Sequence, residues 1–353
     1  MEKEMQTHQH GLLSRMATSV GITHRCANST TRKWLDILGA GAMQRDETSQ
    51  GVVQRAFMAL LVLMLAPSGA QAQELEPRLY SSAPVGLNFL VAAYGYSEGG
   101  LSTDPSAPIK DAQLNIHTGA LGFARTLYLW GKSGRFDVIL PYSYLSGTAL
   151  VAGAPKDRDV NGFGDPRLRL SINLYGAPAL SMPAFAAFKQ NLVIGASIQV
   201  SAPSGQYDPS RLVNLGTNRW SVKPDLGFSK SFGAFTLDLT TGATFYSDNH
   251  DYSGGKTLEQ EPLYSTQTNF AYNFGRGAWV SFGATYYSGG RTTVNGVRNE
   301  DALSNSRAGM TLALPVDRRH SIKFNASGGV STRTGSNFKT VGIAWQYRWG
   351  AGL

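Results

Sequence analysis

Arginine and lysine recur in short stretches where charged or polar residues alternate with apolar ones. Arg167 and Arg169 interleave with Leu168 and Leu170, Lys223 follows Val222, Arg307 precedes Ala308, Lys323 lies between Ile322 and Phe324, and Arg348 lies between Tyr347 and Trp349. Asp225 and Asp238 occupy polar positions of the same kind. Charges of one dominant sign along one face can do a chemistry that needs no covalent step: they set the field of an aqueous passage and sort solutes by charge. The plainer alternative is that these side chains pair across a narrow interior and serve the structure alone. The excess of Arg and Lys over Asp in this set argues against complete internal pairing.

Catalytic chemistry has less support. His117, His250 and His320 are the histidines a wall-mounted hydrolase would draw on, but the chain has no Gly-x-Ser-x-Gly elbow, and a triad is defined by geometry rather than by sequence position. His250 sits in a polar stretch and reads as a solvated residue. Cys26 is the single cysteine, so Cys/His metal cages are excluded on count. The sequence therefore predicts no catalytic residues, no cofactor site and no metal site, and the expected protein is not an enzyme.

The elements that must carry the charges are strands. In residues 164–175, Leu168, Leu170, Ile172 and Leu174 fall on one face and Arg167, Arg169, Ser171 and Asn173 on the other, a period of two. One such strand fits either a soluble sandwich, with Leu inward, or a membrane barrel, with Leu to lipid and Arg to a wet lumen. Repetition separates the two. Segments of this pattern recur to the C-terminus, giving about twelve strands joined alternately by tight turns and long polar loops. The last alternates Val341, Ile343, Trp345, Tyr347 and Trp349 with Gly342, Ala344, Gln346 and Arg348, its aromatic residues suited to an interfacial girdle. The predicted fold is all-β: a transmembrane antiparallel up-and-down barrel of the bacterial outer-membrane type, with both chain ends in the periplasm. An Arg or Lys facing lipid at mid-depth costs about 2–4 kcal/mol, so the charged faces are assigned to the lumen.

Composition agrees. The 353 residues include 40 Gly and only 16% charged residues. Mean hydropathy is only −0.18, as expected where only every second residue meets lipid. The net charge of +8 is spread singly rather than gathered into a patch, so nucleic acid is not an expected partner. The expected partners are the outer-membrane bilayer and a small-molecule solute; the oligomeric state is left open.

Domain organisation follows from the N-terminal third. Residues 1–50 lack periodicity and read as an extension, either an over-long gene start or a real arm. Residues 51–72 read as a signal peptide: Arg55, an apolar run over 56–66, Pro67-Ser68-Gly69, then Ala70-Gln71-Ala72, with cleavage before Gln73. Residues 73–84 are a short periplasmic lead, and 85–353 the barrel.

Three groups of residues add a family resemblance. Gly162-Phe-Gly-Asp-Pro166, Pro203-Ser-Gly-Gln-Tyr207, and the set Asn214, Gly216, Asn218, Trp220, Pro224, Gly227 and Ser229 together resemble the outer-membrane transporter family associated with the MetA pathway of phenol degradation. The resemblance covers roughly residues 84–349. It implies an outer-membrane channel for aromatic or other hydrophobic small molecules, and supplies no functional residues. Two departures stand out: the chain ends Trp349-Gly-Ala-Gly-Leu rather than on an aromatic residue, and residues 73–84 are too few for the long N-terminal hatch of fatty-acid and toluene channels. Within the first motif, Gly162, Gly164 and Pro166 allow a sharp extracellular turn, and Asp165 is expected to cap that turn through its own backbone or else to partner Arg167.

Overall fold

The computed structural model describes residues 77–102, 109–151 and 153–353. The extension, the signal peptide and its cleavage site lie outside the described residues.

Alternation decides which face of each strand meets lipid. On the strand Arg167–Tyr175, Leu170 is 43% exposed and Ser171 5%. Outward leucines on a chain with inward Arg169 and Asn173 make sense only where hydrocarbon lies outside and polar groups lie within.

Seventeen strands are described, numbered in chain order. They are β1 (Leu87–Ser102), β2 (Ile109–Leu129), β3 (Lys132–Val151), β4 (Ala154–Phe163), β5 (Arg167–Tyr175) and β6 (Leu192–Ser201). There follow β7 (Ser221–Phe232), β8 (Phe235–Tyr246), β9 (Asn249–Tyr252), β10 (Lys256–Gln260), β11 (Leu263–Gly275) and β12 (Ala278–Gly289). The last are β13 (Thr292–Val294), β14 (Val297–Arg298), β15 (Leu303–Pro315), β16 (His320–Ser331) and β17 (Gly335–Gly350). Twelve of these form the wall, antiparallel throughout, and β1 pairs both β2 and β17 to close it. Closure leaves no open edge within the hydrocarbon, the condition a sheet must meet to span a bilayer. The predicted barrel of about twelve strands is therefore the observed fold.

Tight turns close one end, between β2 and β3, β7 and β8, β11 and β12, and β15 and β16. By the outer-membrane pattern this end is periplasmic. The connection from β5 to β6 is the exception at this end: it carries a short helix, Met182–Ala187, and Ala177 on it joins a small buried cluster with Val193 and Tyr80. Aromatic residues ring both ends. Trp345, Tyr347 and Trp349 stack along β17 with centroids 6.3 and 5.4 Å apart, and Tyr142 meets Phe163 edge-on at 5.2 Å near the other end.

At the long-loop end, much of what reads as loop is sheet. Residues 154–163 continue β3 as β4, paired from Tyr142↔Phe163 to Val151↔Ala154. Residues 249–260 and 292–298 form a second, four-stranded sheet, β14-β13-β10-β9. Their sequences carry no apolar alternation because water lies on both sides above the membrane, so the pairing leaves no hydrophobic imprint.

Candidate functional site: the barrel lumen

The lead into the barrel does not stay outside it. Tyr80 is 3% exposed and lies over β6 and β7, where Gly195 and Gly227 leave room: a Cβ on Gly227 would stand 1.8 Å from the ring. Its hydroxyl lies 3.4 Å from the hydroxyl of Ser197. Arg78 donates from its backbone N–H to Asp238 Oδ2 at 3.1 Å and from Nη1 to Asn273 Oδ1 at 3.0 Å, with its guanidinium 5.3 Å from the Trp279 ring centroid. Farther along, Thr126 accepts the Leu87 N–H and donates to the Pro84 carbonyl, which fixes the turn into β1. Asp238, expected on the lumen face, thus holds this segment in place. Arg78 and Tyr80 were not singled out from the sequence; the paired glycines inside two otherwise regular strands were the available signal.

Register assembles the next layer. Asp137 stands opposite Arg169, Arg169 opposite Gln199, and Gln199 opposite Lys223, a row across β3, β5, β6 and β7. Arg169 donates from Nη2 to Gln199 Oε1. Arg135 and Asp137 form an ion pair at 2.8 Å, and Lys223 and Asp225 one at 3.2 Å. Ser197 in turn donates to Asp225 Oδ2 at 3.4 Å. Every second residue of a strand faces the lumen, so the row follows from the pleat and the pairing alone.

Two cavities meet at this row. The larger, about 860 Å³, lies between the row and the periplasmic turns, and Arg167, Arg169, Lys323 and Arg348 are on its wall. Its wall carries nine Arg or Lys side chains and two Asp. The smaller, about 340 Å³, reaches toward the long-loop end and takes in Arg167, Arg169, Lys223 and Asp225. Leu79, Arg167, Arg169 and Gln199 belong to both walls and form the partition. Among the lumen-lining residues predicted from sequence, Asp238 and Arg307 lie on neither; Arg307 is 2% exposed and donates from Nη2 to Ser327 Oγ. Arg348 sits at the periplasmic rim, where its Nε donates to the Arg318 carbonyl at 2.7 Å. In the adjoining turn, backbone N–H groups of Arg319 and His320 hold the Asp317 carboxyl below its usual range.

At the other end, Asp165 ties down a long loop. Its Oδ1 accepts the Gly205 N–H at 2.9 Å, and its Oδ2 accepts the N–H and hydroxyl of Thr217 at 2.8 and 2.7 Å. The turn motif Gly162, Gly164, Asp165 and Pro166 is thus a docking point for residues 202–219, beyond a cap of its own backbone. A Cβ on Gly205 would meet the Asp165 nitrogen at 2.7 Å, which explains why glycine stands there. The far part of the loop carries Val213 and Leu215 onto Leu114, Leu145, Val160 and Phe338. Asn249 braces it from the other side, donating to the Tyr207 hydroxyl and the Thr217 carbonyl. Within the loop, the Ser210 hydroxyl and N–H hold the Asp208 carboxyl below its usual range.

The three histidines lie far apart in the fold. His117 Nδ1 is 2.7 Å from the Tyr94 hydroxyl on the outer wall, His250 stands beside Thr257, and His320 is 3.4 Å from Asp317 in a periplasmic turn. Among the described residues no group of three or more His, Cys, Asp or Glu is placed to hold a metal.

Among solved structures, an outer membrane channel from Pseudomonas putida F1 is 22% identical with a TM-score of 0.67, covering 78% of this chain and 100% of that one. The transport unit of the autotransporter AIDA-I from Escherichia coli is 8% identical with a TM-score of 0.46, covering 83% and 96%. The KdgM porin is 10% identical with a TM-score of 0.39, covering 73% and 98%. The first of these likenesses is one of fold. No curated protein sequence matches the chain. The sequence profile of one family spans residues 95–347, from within the first wall strand to near the end of the last. On that match the chain belongs to the family described as "Putative MetA-pathway of phenol degradation".

Proposed function

We propose that the protein is an outer-membrane channel through which small organic solutes diffuse, with passage biased toward anions, and that it performs no catalysis. The family's description points to aromatic catabolic substrates or their anions as cargo. The observation that carries this proposal is the pair of cavities sharing one partition, with a large excess of Arg and Lys over Asp around the larger. A low-dielectric wall focuses the field of such charges into the passage and raises the local concentration of anions.

A second reading, a closed structural barrel, draws on the seating of Arg78 and Tyr80 inside the lumen. Planar-bilayer recording separates the two. A channel gives discrete conductance steps and lets small solutes swell liposomes; a folded, heat-modifiable protein with neither property is a structural barrel. Export with cleavage before Gln73 belongs to the same proposal, and N-terminal sequencing of membrane-extracted protein tests it.

A further inference from the structure

The smaller cavity is chemically two-sided. Arg167, Arg169 and Lys223 stand along β5 and β7, while Leu79, Leu263 and Tyr287 come from the N-terminal segment, β11 and β12. Asp225, the acid on this wall, stands 3.2 Å from Lys223. At about 340 Å³ the space is at the small end of the range of small-molecule sites, roughly 300–1,000 Å³. Leu263, only 8% exposed, is a buried apolar member of this wall. Arg167 and Arg169 sit two residues apart on one strand and so share the lumen face. Guanidinium groups recognise carboxylates through charge-assisted N–H donors, and Arg169 also donates from Nη2 to Gln199 Oε1.

From this arrangement we infer that the smaller cavity is a binding station for small organic acids with one apolar ring, the carboxylate on Arg167 and Arg169 and the ring against Leu79, Leu263 and Tyr287. The inference rests on the channel proposal and names the class of solute that it selects. Both arginines are on the walls of both cavities, which puts binding and selection at one place. A neutral ring of the same shape keeps the apolar contacts and loses the carboxylate contacts. Discrimination then comes from the arginines and not from size.

Benzoate and benzamide, equal in shape and different in charge, are the probes. With the full-length exported protein in planar bilayers, benzoate is expected to reduce the chloride current at a concentration at least tenfold lower than benzamide. In the double variant Arg167→Gln/Arg169→Gln the two are expected to differ by less than twofold. Leu263→Ser is expected to weaken both probes while leaving the benzoate preference in place. Conductance with equal potency of the two probes in the wild-type protein overturns the station and leaves the channel standing. Calorimetric titration of benzoate into detergent-solubilised protein reads the station without requiring current: tight, Arg-dependent binding with no conductance keeps the station and overturns the channel. Should the double variant fail to fold, the wild-type comparison of the two probes decides alone.

Discussion

Thr217 gives two hydrogen bonds to a single carboxylate oxygen of Asp165, one from its backbone N–H at 2.8 Å and one from its hydroxyl at 2.7 Å. Fifty-two residues separate the two in sequence. With the Gly205 N–H on the other oxygen, one side chain fastens the whole β6–β7 connection to the turn before β5. Hydrogen bonds to a charged acceptor are worth about 1.5–3 kcal/mol each where water is kept away, and less at a wet mouth. Asp165→Ala is therefore expected to destabilise the loop by about 1–3 kcal/mol. Limited proteolysis checks this: cleavage within residues 202–219 should quicken in the variant while the strands remain protected.

The second prediction concerns the segment inside the lumen. A methyl group at position 227 would overlap the Tyr80 ring, the nearest atom standing at 1.8 Å, so Gly227→Ala should expel the segment from its slot. The wall itself gains only a residue that strands tolerate. Single-channel conductance should rise in Gly227→Ala and in Tyr80→Ala alike, with the heat-modifiable band on gels preserved. Unchanged conductance in both would show that the route for ions bypasses this segment.

A pH effect is expected at the periplasmic turn 316–319. Asp317 accepts the N–H groups of Arg319 and His320 at 2.6 and 2.8 Å, which favours its charged form and depresses its pKa in the folded protein. A carboxyl with a depressed folded pKa contributes stability above its unfolded value, here the ordinary 3.8, and loses that contribution as pH falls through the folded value. Asp317→Asn should therefore be less stable than wild type near neutrality. The gap should close as pH drops below 3.8, read as the heat-modification midpoint against pH.

The wall of the barrel was legible in the sequence because lipid on one side and water on the other imprint a period of two on every spanning strand. That rule puts Arg169, Lys323 and Arg348 on polar faces, and all three are on the wall of the larger cavity. The same rule is silent outside the bilayer, where β4, β9, β10, β13 and β14 have water on both faces, and these read as loops. It also says nothing of contacts made by a segment that belongs to no strand. Hence Arg78 and Tyr80 went unnoticed, although Gly195 and Gly227 marked the space they fill. Asp165 was recognised as part of a motif, but its partner Gly205 lies in a second fragment and Thr217 between Gly216 and Asn218 of a third, and only the fold brings the three together.

The account turns on the charge of the partition between the two cavities. A reversal-potential measurement across a tenfold KCl gradient tests it most directly. Wild-type protein should reverse on the chloride side of zero, and Arg167→Gln/Arg169→Gln, which keeps the wall polar, should move that value toward potassium. Both effects should shrink near 1 M salt, where the screening length falls to about 3 Å. A double variant with unchanged reversal potential and a lowered unfolding midpoint would contradict the account, and would make the two arginines structural members of a closed interior.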